Sequence, residues 1–106
     1  NGPQTREGGD FVRKYEVIFI VKPLEEEATN AVVEKFTKLL KDNDAAIDKE
    51  DRWGKKRLAY EIKGCQEGFY VLLNITATPA CVAECDRVMK ITDELLKHMI
   101  VREDEE

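Results

Sequence analysis

Histidine and tryptophan each occur once in this 106-residue chain, and proline and cysteine three times each. Each scarcity excludes something. The single histidine, His98, falls inside an apolar stretch near the end, where a packing or surface role fits better than catalysis. No serine-, cysteine- or lysine-type nucleophile has a neighbouring base, and no glycine-rich loop is built to cradle phosphate. No apolar run approaches the roughly 20 residues that cross a bilayer, and no signal-peptide pattern opens the chain. The expectations are therefore a non-enzyme, with no cofactor, no small-molecule substrate and no membrane partner.

Charge is abundant: 37% of residues are charged, and 22 acids against 17 lysines and arginines give a net charge of −5. That balance argues against a surface that binds nucleic acid all over, and it leaves room for a local basic patch. The acids gather at 24–27 (LEEE) and 103–106 (EDEE), while the stretch 51–64 (DRWGKKRLAYEIKG) is locally basic. Hydrophobic residues make up 42%, enough for one core in one domain of this length. We expect a flexible extension over 1–12, a folded domain over 13–102 and an acidic tail over 103–106. The chain begins NGPQTREGGD without methionine.

Periodicity places the elements. Residues 14–21 (KYEVIFIV) read as a strand with Tyr15, Val17, Phe19 and Val21 on one face and Ile18 and Ile20 on the other. Apolar residues on both faces suggest a central strand. A helix follows from about Glu25 to Lys41, with Val32, Val33, Phe36, Leu39 and Leu40 in a stripe. Its first turn is acidic and its last basic, as the helix dipole favours. Asn43 and Asp44 supply residue types that accept a left-handed stop. One long strand covers Ala46–Lys63, broken near Trp53-Gly54 by a bulge or bend. A turn at 64–68 leads to a strand over 69–77, with Tyr70, Leu72 and Asn74 on one face. Thr78-Pro79 opens a second helix that buries Val82, Cys85 and Met89, and a last strand covers about Leu95 to Arg102. The order βαββαβ with right-handed crossovers gives an α+β, ferredoxin-like fold: a four-stranded antiparallel sheet with both helices on one face.

Two helices cover one side of such a sheet. The other side is expected to present Ile18, Ile20, Tyr70 and Leu72, an apolar surface that suits a protein partner. Lys55, Lys56 and Arg57 project from a strand edge, where cations can follow an RNA backbone without entering a groove. Trp53 beside them either stacks on a splayed base or seals the core at the bend. Such a basic run also serves simply as a solvated, aggregation-resistant edge. Cys65, Cys81, Cys85 and His98 invite a zinc reading. A strand of about nine residues puts Cys65 and Cys81 roughly 30 Å apart, which opposes both a metal site and a disulfide there. Reduced thiols then act as small hydrophobes.

The segments RKYEVIFIVKP (13–23), RWGKKRLAYEIKG (52–64), EGFYVLLNI (67–75) and MKITDELLKHMIVR (89–102) together resemble the bacterial-type small-subunit ribosomal protein S-six family, collinearly over most of the chain. The resemblance implies the same fold. It also implies binding to the central domain of small-subunit ribosomal RNA together with ribosomal protein S-eighteen. The matching positions imply RNA contacts from Arg13, Lys14, Lys55, Lys56 and Arg57, and from Lys97 and Arg102 on the last strand. Asp44 stands where the family often has glycine, and Glu61 where proline is frequent. Ribosomes of a chloroplast stroma and of a bacterial cytoplasm both fit.

Two other readings are weighed. An RNA-recognition-motif-like binder of single strands outside the ribosome shares the element order but needs paired aromatics on the open face. Tyr70 is one, and Leu72 stands where the next should be. A small hydrolase of acylphosphatase type needs an anion loop with arginine after the first strand. This chain has VKPLEEE there, and its glutamates repel phosphate.

Overall fold

The structure, a computed structural model, describes residues 11–103. The expected extension over 1–12 and the acidic tail over 103–106 therefore lie mostly outside the described residues. Six elements follow the expected order: β1 (Arg13–Val21), α1 (Glu26–Asp42), β2 (Ala46–Ile62), β3 (Cys65–Ala77), α2 (Pro79–Lys90) and β4 (Leu95–Arg102). The sheet order is β2-β3-β1-β4, and every neighbouring pair is antiparallel. This is the ferredoxin-like arrangement, with β1 and β3 central and β2 and β4 at the edges.

The helix-facing side carries the main core. Val17, Phe19 and Val21 of β1 and Val71, Leu73 and Ile75 of β3 pack with Phe36 and Leu40 of α1 and Cys85 and Met89 of α2. Phe19 and Phe36 meet with ring centres 5.6 Å apart and tilted by 57°, a favoured aromatic geometry. The buried side of α2 runs through Cys81, Cys85 and Met89. Val82, expected inside, is only partly buried.

Local chemistry sets the element ends. Asp44 takes φ 69° just after α1, the left-handed stop the sequence signalled. The Cys81 amide donates to Thr78 Oγ1 at 3.2 Å, capping α2, and Pro79 occupies its first turn.

The β2–β3 connection differs from the expected five-residue turn. Lys63 and Gly64, at φ 51° and 78°, make a two-residue turn, and Ile62 pairs directly with Cys65. Two successive positive φ values are the signature of the type I′ hairpin, whose twist matches the strands it joins. The hairpin is thus longer than expected. Its pairing shifts register between Arg57 and Ile62, and the tip folds across the face away from the helices. There Leu58, Ile20 and Leu96 form a second small core, with Ile62, Cys65 and Tyr70 against it.

That second core corrects one expectation. Ile20 is not displayed on an open face: it is 6% exposed. Gly68 lies opposite, and a Cβ there would run into Ile20 Cγ2 and crowd Leu96. Ile18, Tyr70 and Leu72 are half-buried. The physical reason is the long, bent hairpin, which supplies its own cover for one end of the sheet.

Candidate nucleic-acid and partner interface

Strand register decides where the basic residues go. Lys14 pairs with Thr76 and Val21 with Phe69, which in turn faces Lys55. Seven residues of strand, roughly 23 Å, therefore separate Lys14 from the level of Lys55. Arg102 lies beside Tyr15 at the Lys14 end, and Lys97 beside Ile20 at the other. The seven expected RNA-contact residues thus fall into two groups: Arg13, Lys14 and Arg102 at one end, and Lys55, Lys56, Arg57 and Lys97 at the other.

The two groups differ in how their charge is spent. Lys14 Nζ sits 3.9 Å from Asp48 Oδ2 and 3.4 Å from Thr76 Oγ1. The Arg13 guanidinium lies 5.8 Å from the Phe11 ring centre. Lys55, Lys56 and Arg57 are exposed, and among the described residues none forms an ion pair with a carboxylate, although Glu61 and Glu67 share their hairpin. Lys63 Nζ donates to the Leu95 carbonyl at 2.9 Å and Lys97 Nζ to the Tyr60 hydroxyl at 3.1 Å, both neutral oxygens. Lys97 Nζ is 5.6 Å from the Tyr60 ring centre. With the hydroxyl so much nearer, the ammonium sits off the ring's end rather than over its face. Among the described residues no cation at this end is locked in an ion pair with a carboxylate, although Glu67 stands across the ladder from Arg57.

The bulge at Trp53 sorts the triplet between two faces. Arg52 pairs with Val71 on the helix side, Gly54 pairs with Tyr70 on the other, and Trp53 is the extra residue between them. Gly54 takes φ 90° there. Beyond it Lys55 returns to the helix side, where it borders a cavity of about 440 Å³ with Leu24, Glu26, Asn30, Arg52 and Phe69. Arg52 is held there by Glu50 at 2.7 Å and by Asn30. Lys56 projects to the opposite face, with Nζ 5.7 Å from the Trp53 ring centre. Trp53 does not seal the core: it is 49% exposed and lies nearly parallel to Tyr70, ring centres 6.3 Å apart at 17°.

The open face also holds residues the sequence analysis did not single out. Met99 faces Ile18, and Val101 faces Glu16, and both are exposed. With Ile18 and Leu72 they make an apolar strip along β4, β1 and β3. The alternation in LLKHMIVR carried that signal, since Lys97, Met99 and Val101 share a face.

The groups with altered acidity are structural. Burial, with Cys81, Asp86 and Glu84 nearby, pushes the Cys85 thiol up to about 12, and burial raises Cys81 as well. Hydrogen bonds from His98, at 2.8 Å, and then from Lys90 hold Asp86 below its ordinary value. That contact ties β4 to α2. Cys65 belongs to the small outer core and Cys81 and Cys85 to the main one. Among the described residues no three metal-ligating side chains converge, and no helix is long and apolar enough to cross a membrane.

The profile of ribosomal protein S6 matches residues 14–102, the whole βαββαβ unit but its first residue. The chain belongs to the ribosomal protein S6 family. It is 49% identical over 96 residues to small ribosomal subunit protein bS6 of Moorella thermoacetica, covering 90% of this chain and 98% of that one. To bS6 of Desulforamulus reducens it is 52% identical over 95 residues, covering 89% and 100%. Among solved structures, 30S ribosomal protein S6 of Thermotoga maritima superposes with a TM-score of 0.82 at 30% identity, covering 86% of this chain and 87% of that one. The S6 framework thus accounts for the fold.

Proposed function

We propose that this chain is a structural, non-catalytic constituent of the small ribosomal subunit that binds the central domain of its ribosomal RNA together with ribosomal protein S-eighteen. The observation that carries the reading is a group of exposed cations at the hairpin end of an otherwise acidic molecule, Lys55, Lys56 and Arg57, none of which forms an ion pair among the described residues. Unpaired surface ammonium and guanidinium groups are what a phosphate backbone rewards, because neutralising it releases condensed counterions. Lys97 adds to this group, while Arg13, Lys14 and Arg102 form a second, distant contact. The apolar strip of Ile18, Leu72, Met99 and Val101, with Tyr70 at its margin, receives the protein partner. Ile20, covered by Leu58 and Leu96 at the hairpin end of the same face, stays out of that contact. The role needs no metal, cofactor or small-molecule substrate. The setting is the ribosome of a bacterial cytoplasm or a chloroplast stroma, and the bacterial relatives support the first.

A few phosphate contacts on an acidic body give weak binding alone, and the partner adds surface. RNA affinity measured with and without S-eighteen is therefore expected to be cooperative, with much tighter binding in its presence. Equal affinities would count against the pairing.

A further inference from the structure

Trp53 is an anomaly that the fold does not explain. Tryptophan is among the most buried side chains on average, yet this one is half-exposed although a small apolar core lies just beyond Tyr70. The bulge at Trp53-Gly54 delivers it to the face away from the helices. Its ring runs nearly parallel to Tyr70 at an offset of 6.3 Å between centres, so the two rings lie as adjoining steps and neither covers the other. Lys56 flanks the indole, and among the described residues no carboxylate pairs with that lysine.

We propose that Trp53, stepped against Tyr70 and flanked by Lys56, is a stacking site for one unpaired RNA base, with Lys56 meeting the adjoining phosphate. This rests on the RNA-binding reading above and specifies what the hairpin end recognises: a splayed, single-stranded nucleotide rather than duplex backbone alone. The chemistry favours a base over an apolar protein segment. A nucleobase offers a flat π-face that extends the row of rings, and its phosphate meets the Lys56 ammonium beside the indole. An apolar protein segment seated here would have to cover Lys56, the one cation of the triplet on this face, without neutralising it. The two-ring requirement of single-strand binding is met across strands, Tyr70 from β3 and Trp53 from β2, so the leucine at position 72 does not defeat it.

Trp53 is the chain's sole tryptophan, so its fluorescence reports this site directly. The full chain is titrated at low salt with an unstructured oligoribonucleotide, and separately with a blunt RNA duplex of the same length. Single strand is expected to quench and shift the emission, and duplex to leave it unchanged. By anisotropy of a labelled single strand, Trp53→Ala is expected to weaken binding roughly tenfold, within the range of about 5- to 150-fold typical of one lost stack. Trp53→Phe keeps most of the affinity, and because it preserves an aromatic ring it controls for any misfolding of the alanine variant. Equal quenching by duplex, or single-strand affinity unchanged in Trp53→Ala while neutralising Lys55, Lys56 and Arg57 abolishes it, overturns the stacking site and leaves the RNA reading standing. Binding indifferent to both changes overturns both. A response of Trp53 to S-eighteen alone, with none to oligonucleotide, assigns the patch to the protein partner and overturns the proposal.

Discussion

Cys85 shows how one side chain is fixed by its surroundings. It sits fully buried between α2 and the sheet, with its thiol held to about 12 against an ordinary 9.0. The sign follows from linkage. Above about 9 the unfolded chain releases this proton and the folded chain keeps it, so the contribution is whole below 9 and is lost as pH climbs toward 12. Urea midpoints measured across the alkaline range should therefore fall, and Cys85→Ala should lower the midpoint at neutral pH while flattening that fall. Equal alkaline slopes in the two proteins would remove the argument. The same burial makes Cys81 and Cys85 poor nucleophiles, in keeping with a structural role.

Among elements, the β2–β3 hairpin does the most that strand periodicity alone does not suggest. Leu58, Ile62 and Cys65 turn over Ile20 and Leu96, and the Lys63 and Lys97 ammonium groups clasp the tip to β4. Leu58 is the keystone because it is the tip's one buried member of that cluster, Ile62 and Cys65 being only partly buried. Leu58→Ala is expected to cost about 2 kcal/mol, the low end for a buried leucine, because a small cluster near solvent relaxes readily. Hydrogen exchange should show lost protection over residues 58–66 with the main core unchanged. Uniform loss across all strands would mean that the outer cluster is not a separate unit.

For the whole molecule, electrostatics divides the work. A net charge of −5 disfavours polyanions over most of the surface, and in the proposed role the local cations at the hairpin end give binding its direction. Neutralising Lys55, Lys56 and Arg57 together is expected to reduce the dependence of log affinity on log salt by about 2–3, close to one released counterion per lost contact. Neutralising Lys14, which already has Asp48, should change the slope by less. Salt titrations of both variants check this, and equal slopes would show that the hairpin cations do not meet phosphate.

Much of this was legible in the residues themselves. The 3.6- and 2-residue rhythms located every strand and helix, Thr78-Pro79 marked the start of α2, Asp44 marked the end of α1, and the glycine inside β2 announced a bulge. Those signals are local, since each depends on a few neighbouring dihedral angles or on one apolar stripe. What β2 does beyond the bulge was not legible. Inserting Trp53 shifts the alternation by one residue, so which of Lys55 and Lys56 faces the helices depends on pairing with β3, a partner twelve or more positions away. The turn at Lys63-Gly64, the burial of Ile20 and the separation of the basic residues into two ends likewise follow from strand register and hairpin curvature. The sequence alone determined the fold class and the kinds of side chain available for RNA. Only the tertiary structure decided which of them stand together unpaired, because charge compensation is a matter of distance across strands, and distance is set by pairing.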